Sequence, residues 1–169
     1  MNAVLMITLL MFVATAFGAT SRDRRWWHNR SQLSRNNIIM STAERDNGDY
    51  VGMECKEWVR KVVRDASRDV VTIPSTKSND YQWRSSDDVY EVPMSSPPLW
   101  TAVPGSIIQM KWNDTPHTAI VLENDGSGMR WIDSNWGSPQ NNRRVRTHYV
   151  TNSRFREAVG GRYSIYYIR

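Results

Sequence analysis

Cysteine is nearly absent from the chain: its 169 residues contain one, Cys55. A single thiol excludes an intramolecular disulfide. Cys55 is then a small buried hydrophobe, half of a bridge between chains, or a working thiol. Histidine is scarce too, with only His28, His117 and His148. There are no internal repeats and no low-complexity tract, which excludes repeat architectures. Long apolar runs are missing except at the start, where residues 3–17 read AVLMITLLMFVATAF. No Lys or Arg precedes that run, and no lipidation cysteine follows it.

The apolar run leads into GATSRDRR. An apolar stretch, small residues at Ala16 and Gly18, and a charged start to the mature chain are the parts of a secretory signal. Residues 1–18 are therefore expected to be a signal peptide cleaved after Gly18. The alternative is a short membrane anchor, since the run is at the lower limit for a span. Export implies a secreted or periplasmic protein with no stable membrane span after cleavage.

Hydrophobic residues make up 40% and charged residues 23% of the chain, ordinary globular proportions. The formal net charge of +5 suits an anionic partner such as a cell wall, an acidic polysaccharide or a membrane surface. Nucleic acid is not expected as a partner of an exported chain.

Residues 19–44 form a basic segment with one aromatic pair, Trp26 and Trp27, and a helix is expected over 31–45. Residues 53–66 carry a clearer signal. Cys55, Trp58, Val59, Val62, Val63 and Ala66 recur on one helical face, while Lys56, Glu57, Arg60, Lys61 and Arg64 fill the other. Cys55 falls in the first turn of that helix. Residues 74–105 are rich in Ser, Pro and Asp, and within them SDDVYE (86–91) reads as a solvated loop. Five strand-like runs follow, at 106–112, 117–123, 129–135, 144–150 and 162–169, with ENDGSG as a hairpin turn between the second and third. Helices first and neighbouring antiparallel strands after them predict an α+β fold. Trp58 and Trp131 read as core, and Trp112, Trp131 and Trp136 as candidates to line a groove.

A cysteine nucleophile needs a lowered pKa, a base within reach and a group that orients the base. A helix N-terminus favours a thiolate through its unpaired N–H groups and macrodipole. His117 opens a strand. The next strand of the hairpin ends in Asp133 and Asn135, two apart and so on one sheet face, and either would lie beside His117. His148 is the runner-up base. Each residue taken alone has an ordinary structural reading; their order and combination carry the expectation.

That combination resembles the CHAP-type cysteine amidohydrolases and peptidases, within the papain-like and NlpC-like group. YVGMECKEWV resembles the family's nucleophile segment. VPGSIIQM resembles its Pro-Gly-Asp-Ile strand start, with Ser106 in place of the acid. HTAIVLE resembles the histidine strand, and WIDSNW the strand ending in an acid-x-Asn pair, with Asp133 for the commoner Glu. The resemblance covers roughly residues 45–169. It implies N-terminal helices packed on an antiparallel sheet of about five strands, Cys55 as nucleophile, His117 as base, and Asp133 or Asn135 as orienting group. It also implies an oxyanion hole formed in part by the Cys55 N–H. Many members carry Gln immediately before the cysteine, whereas this chain has Glu54, which cannot donate when ionised. Tyr50 is the substitute donor. RDNGDY (45–50) resembles a calcium loop of some CHAP domains, with Asp46, Asn47 and Asp49 as ligands; otherwise no cofactor is expected. The function implied is cleavage of a peptidoglycan amide bond through a thioester. The alternatives are a catalytically silent module that binds wall or glycan, and an exported toxin or effector using the same triad.

Overall fold

The computed structural model describes residues 18–94, 96–136 and 143–169. The expected signal peptide lies almost wholly outside the described residues. Four α-helices and six strands follow one another as α1 (Ser21–His28), α2 (Gln32–Arg45), α3 (Cys55–Ser67), β1 (Val89–Glu91), β2 (Ile107–Trp112), β3 (Thr115–Asn124), β4 (Gly128–Ser134), β5 (Val145–Thr151), α4 (Asn152–Val159) and β6 (Tyr163–Ile168). The fold class is α+β. Among the described residues no helix is long and apolar enough to cross a membrane.

The strands form one antiparallel sheet in the order β1-β6-β2-β3-β4-β5. Alternation along each strand gives the sheet two apolar faces. Ile107, Ile120, Ile132 and Tyr166 join Trp27, Ile39, Trp58 and Val62 in a core under α1–α3. Ile108, Ala119, Val121, Trp131 and Ile165 join Phe155 and Val159 in a second core under α4. The apolar stripe read on α3 is buried as expected: Trp58, Val59, Val62, Val63 and Ala66.

Several sequence expectations change. SDDVYE is not wholly loop, since Val89–Glu91 form β1 on the sheet edge against β6. Among the described residues the strands are six, and the last is not a neighbour of the fifth: β6 returns across the sheet to pair with β2. α1 is a helix that the Arg-rich composition hid. Thr20 and Asp23 cap it reciprocally, and Trp27 is buried with its Nε1 donating to the Arg169 carbonyl at 2.7 Å. α4 is another, an eight-residue helix capped by Thr151 and closed by Gly160. The expected turn between β3 and β4 is present, with Asp125 Oδ1 accepting from the N–H groups of Ser127 and Gly128 at 2.8 and 2.9 Å. Gly105, in the VPGSIIQM motif, has φ +80° and lies so near Asn36 that an added Cβ would come within 2.5 Å of it. This close approach docks the start of β2 on α2.

Candidate active site

Cys55 is the first residue of α3, and Trp58 N–H to the Glu54 carbonyl, at 2.9 Å, is the helix's first bond. Glu54 is the N-cap but its side chain does not cap. The first-turn N–H groups therefore stay free of intrahelical partners. They point their dipoles at the end of the helix where the sulfur sits.

β3 pairs with β4 only from Ile120↔Ile132 onward, so the start of β3 has an uncovered edge on that side. The chain leading into α3 fills it. Ser134 Oγ donates to the Met53 carbonyl at 2.7 Å, and the Thr118 N–H favours the ionised form of the Cys55 sulfur. The His117 imidazole acts on the same sulfur and favours its ionised form. Its Nε2 lies 3.2 Å from Asp133 Oδ2, at ion-pair distance but outside hydrogen-bond geometry.

Asp133 is fully buried on β4. Oδ2 also accepts from Trp131 Nε1 at 2.7 Å, and Oδ1 stands 3.6 Å from His148 Nε2. A carboxylate without water around it acts strongly on its neighbours. Burial alone would push the His117 pKa down; contact with Asp133 and with the Cys55 sulfur reverses this and raises it to about 10. Burial likewise opposes ionisation of Cys55, but the His117 contact and charge and the Thr118 N–H outweigh it and lower the thiol's pKa. Together the two shifts favour a thiolate–imidazolium pair over the neutral one. His148 goes the other way. Burial lowers its pKa, and the charges of His117 and Arg146 add to this against the pull of Asp133.

Trp136 walls this centre. Its ring centroid lies 4.7 Å from that of His117, 5.4 Å from His148 and 4.9 Å from Trp112. Trp131 is fully buried, as read, while Trp112 and Trp136 are half-buried.

The structure thus brings Cys55, His117 and Asp133 together and leaves the other candidates elsewhere. Asn135 is not the orienting group. It lies past the end of β4 with φ +66°, which turns it off the face that carries Asp133, and its Nδ2 donates to Glu54 Oε2. Glu54 is also paired with Arg143, 3.1 Å from Oε1 to Nη2. Tyr50 has 61% of its surface exposed, and its placement is set by a backbone bridge to Arg144. Of the calcium candidates Asp46, Asn47 and Asp49, the first is engaged by protein partners. The Asp46 carboxylate turns inward to Trp58 Nε1 at 2.9 Å and Lys61 Nζ at 3.6 Å. Among the described residues, His, Cys, Asp and Glu side chains nowhere gather in a metal-sized group of three or more.

Sequence reading missed the Trp131 donor to Asp133, the Trp136 wall and the Arg143 partner of Glu54. The first was findable, because residues 131 and 133 share a strand face. Arg143 left no local signal.

No family model and no characterised protein sequence matches the chain. Among solved structures, the fold is similar to the crystal structure of Ly7917, with a TM-score of 0.58 and 17% identity, over 77% of this chain and 61% of that one. It is also similar to the crystal structure of Ly7917 with the hydrolyzing product of MDP, with a TM-score of 0.57 and 17% identity, over 79% of this chain and 63% of that one. The chain therefore spans less than two thirds of the length of Ly7917, and at this identity the likeness is one of fold.

Proposed function

We propose that the chain is an exported papain-like cysteine hydrolase of the CHAP type, acting on an amide bond of peptidoglycan. One observation carries this reading: a thiol at an uncapped helix N-terminus, its pKa lowered by an imidazole whose Nε2 lies 3.2 Å from a buried carboxylate. A structural cysteine needs none of these. Similarity in fold to Ly7917, one structure of which holds the hydrolyzing product of MDP, supports the choice of substrate class.

In this reading the Cys55 thiolate attacks the amide carbonyl. The negative charge passes to the carbonyl oxygen, where the unpaired N–H at the start of α3 can receive it. The His117 imidazolium gives its proton to the leaving nitrogen, the C–N bond breaks, and an amine departs from a thioester. Neutral His117 then takes a proton from water, the hydroxide adds to the thioester, and the C–S bond breaks to release a carboxylic acid and the thiolate, restoring the thiolate–imidazolium pair. Asp133 keeps the imidazole turned and stabilises its cation, while Trp136 keeps bulk water off the ring.

Glu54 supports a second reading, a catalytically silent module that binds wall or glycan. A carboxylate cannot donate to an oxyanion, and Glu54 stands next to the nucleophile with its oxygens engaged by Asn135 and Arg143. Digestion of purified bacterial cell walls separates the two. The hydrolase releases soluble fragments bearing new amino groups, and Cys55→Ser stops release while still sedimenting with the walls. Wild-type protein that binds walls but releases nothing, and that reacts with iodoacetamide at neutral pH no faster than an ordinary thiol, would leave the silent module standing.

A further inference from the structure

A second charged surface lies away from the cleft. Residues 21–45 hold six arginines against two carboxylates, a net of +4 in a chain of +5. α1 and α2 gather this charge around one ring, Trp26. Arg30 lies over that ring at 4.3 Å and Arg68 at 4.0 Å. Trp26 borders a depression shared with Arg22 and Arg25 and another shared with Arg45. Asp23 is occupied by Thr20 and by Arg68, 3.5 Å away, so it does not neutralise Arg22 or Arg25. Among the described residues, Arg22, Arg25 and Arg45 are exposed and make no ion pair.

The backbone adds an independent observation. Arg68 closes α3 in the left-handed region, with φ 57° and ψ 50°. Glycine is the ordinary residue there, because a side chain is strained in that conformation. The chain places a guanidinium there instead and stacks it on Trp26. α1 in turn is fixed to the body through buried Trp27 and its bond to Arg169. The arginines are thus presented on a rigid frame. Arg68 and Cys55 sit at opposite ends of α3, about 20 Å apart at 1.5 Å per residue.

We propose that this surface binds a soluble polyanion whose charges are phosphodiesters, of the kind that runs through a bacterial wall as a glycerol-phosphate polymer. Guanidinium forks suit phosphate oxygens. Stacked arginines cover the Trp26 ring, which leaves it a poor platform for bases or neutral sugars. The exposed residues of α1 are Ser21, Arg22, Arg24, Arg25 and His28, so its outward face has no apolar side chain to enter a membrane. The surface would tether the protein to the wall while the cleft acts about 20 Å away.

The test is independent of turnover. Fluorescent poly(glycerol phosphate) is titrated with the full chain carrying Cys55→Ser, over a range of salt. Binding should weaken linearly on a log–log plot as salt rises. Arg22→Gln with Arg25→Gln should weaken it about fivefold per arginine and flatten the salt slope by about one for each. Arg68→Gly should also weaken it, and should keep the fold because glycine adopts the left-handed region freely. Unchanged binding in both variants would overturn the proposal. So would tighter binding to an oligothymidylate of matched charge, or to vesicles of anionic lipid. Polymer binding by a wild-type protein that hydrolyses nothing would support this surface and sink only the hydrolase.

Discussion

At Asp133 one donor and two imidazoles converge on a buried carboxylate: the Trp131 indole bonds it, while His117 Nε2 and His148 Nε2 lie 3.2 and 3.6 Å away outside hydrogen-bond geometry. The histidines are not equivalent. Asp133 and the Cys55 sulfur raise His117 to a pKa of about 10, whereas burial lowers that of His148. Asp133→Ala should therefore cost the hydrolysis rate about 10²- to 10⁴-fold, the range for losing acid–base function. His148→Ala and Asn135→Ala should cost much less, since neither removes the His117–Asp133 contact. Steady-state rates on cell-wall fragments rank the three. A larger loss in His148→Ala than in Asp133→Ala would show that the wrong imidazole had been assigned as base.

α3 presents the sulfur only as well as it is itself held. Its anchor is Trp58, fully buried one turn after Cys55, with Nε1 bonded to Asp46 at the end of α2. Trp58→Ala should destabilise the fold by about 3–5 kcal/mol, as for other large core truncations. Trp58→Phe should cost far less. It keeps most of the apolar volume and loses one hydrogen bond, worth about 1 kcal/mol, while Asp46 retains Lys61. Urea unfolding midpoints measure both. Equal losses in the two variants would mean that the hydrogen bond, rather than burial, fixes α3 on α2. α3 was legible in sequence because its apolar positions recur along 13 residues. α1 and α4 were not, because each has eight residues and half of α1 is charged, so capping and single buried aromatics decide them rather than periodicity.

For the molecule as a whole, the buried pair couples stability to pH. The folded-state pKa of His117 is raised from 6.5 to about 10. Its contribution is fully present below the unfolded value and is lost as pH rises through about 10. The Cys55 pKa is lowered from 9.0, so its contribution is present above that value and is lost as pH falls through the lowered one. In the window between, the thiolate and imidazolium support each other. Wild-type stability should accordingly fall from pH 8 toward pH 10.5 by more than that of His117→Gln, whose side chain does not titrate. Thermal midpoints of the two proteins over that range test the sign. Parallel curves would mean that the imidazole is neutral in the folded protein.

The sequence by itself determined the amphipathic face of α3, the place of Cys55 in its first turn, the turn at Asp125–Ser127 and the α+β class. These depend on contacts a few residues apart, which periodicity and turn chemistry record directly. It also narrowed the partner of His117 to two residues. Tertiary structure chose between them, because the choice depends on where β4 ends: Asp133 is still in the strand, while Asn135 has left it at φ +66° and turned to Glu54. The return of β6 to β2, the pairing of Arg143 with Glu54 over 89 positions, and the stacking of Arg30 and Arg68 on Trp26 were likewise decided in three dimensions. Such contacts join segments whose local sequences carry no mark of each other, and the packing of α1–α3 on the sheet sets them.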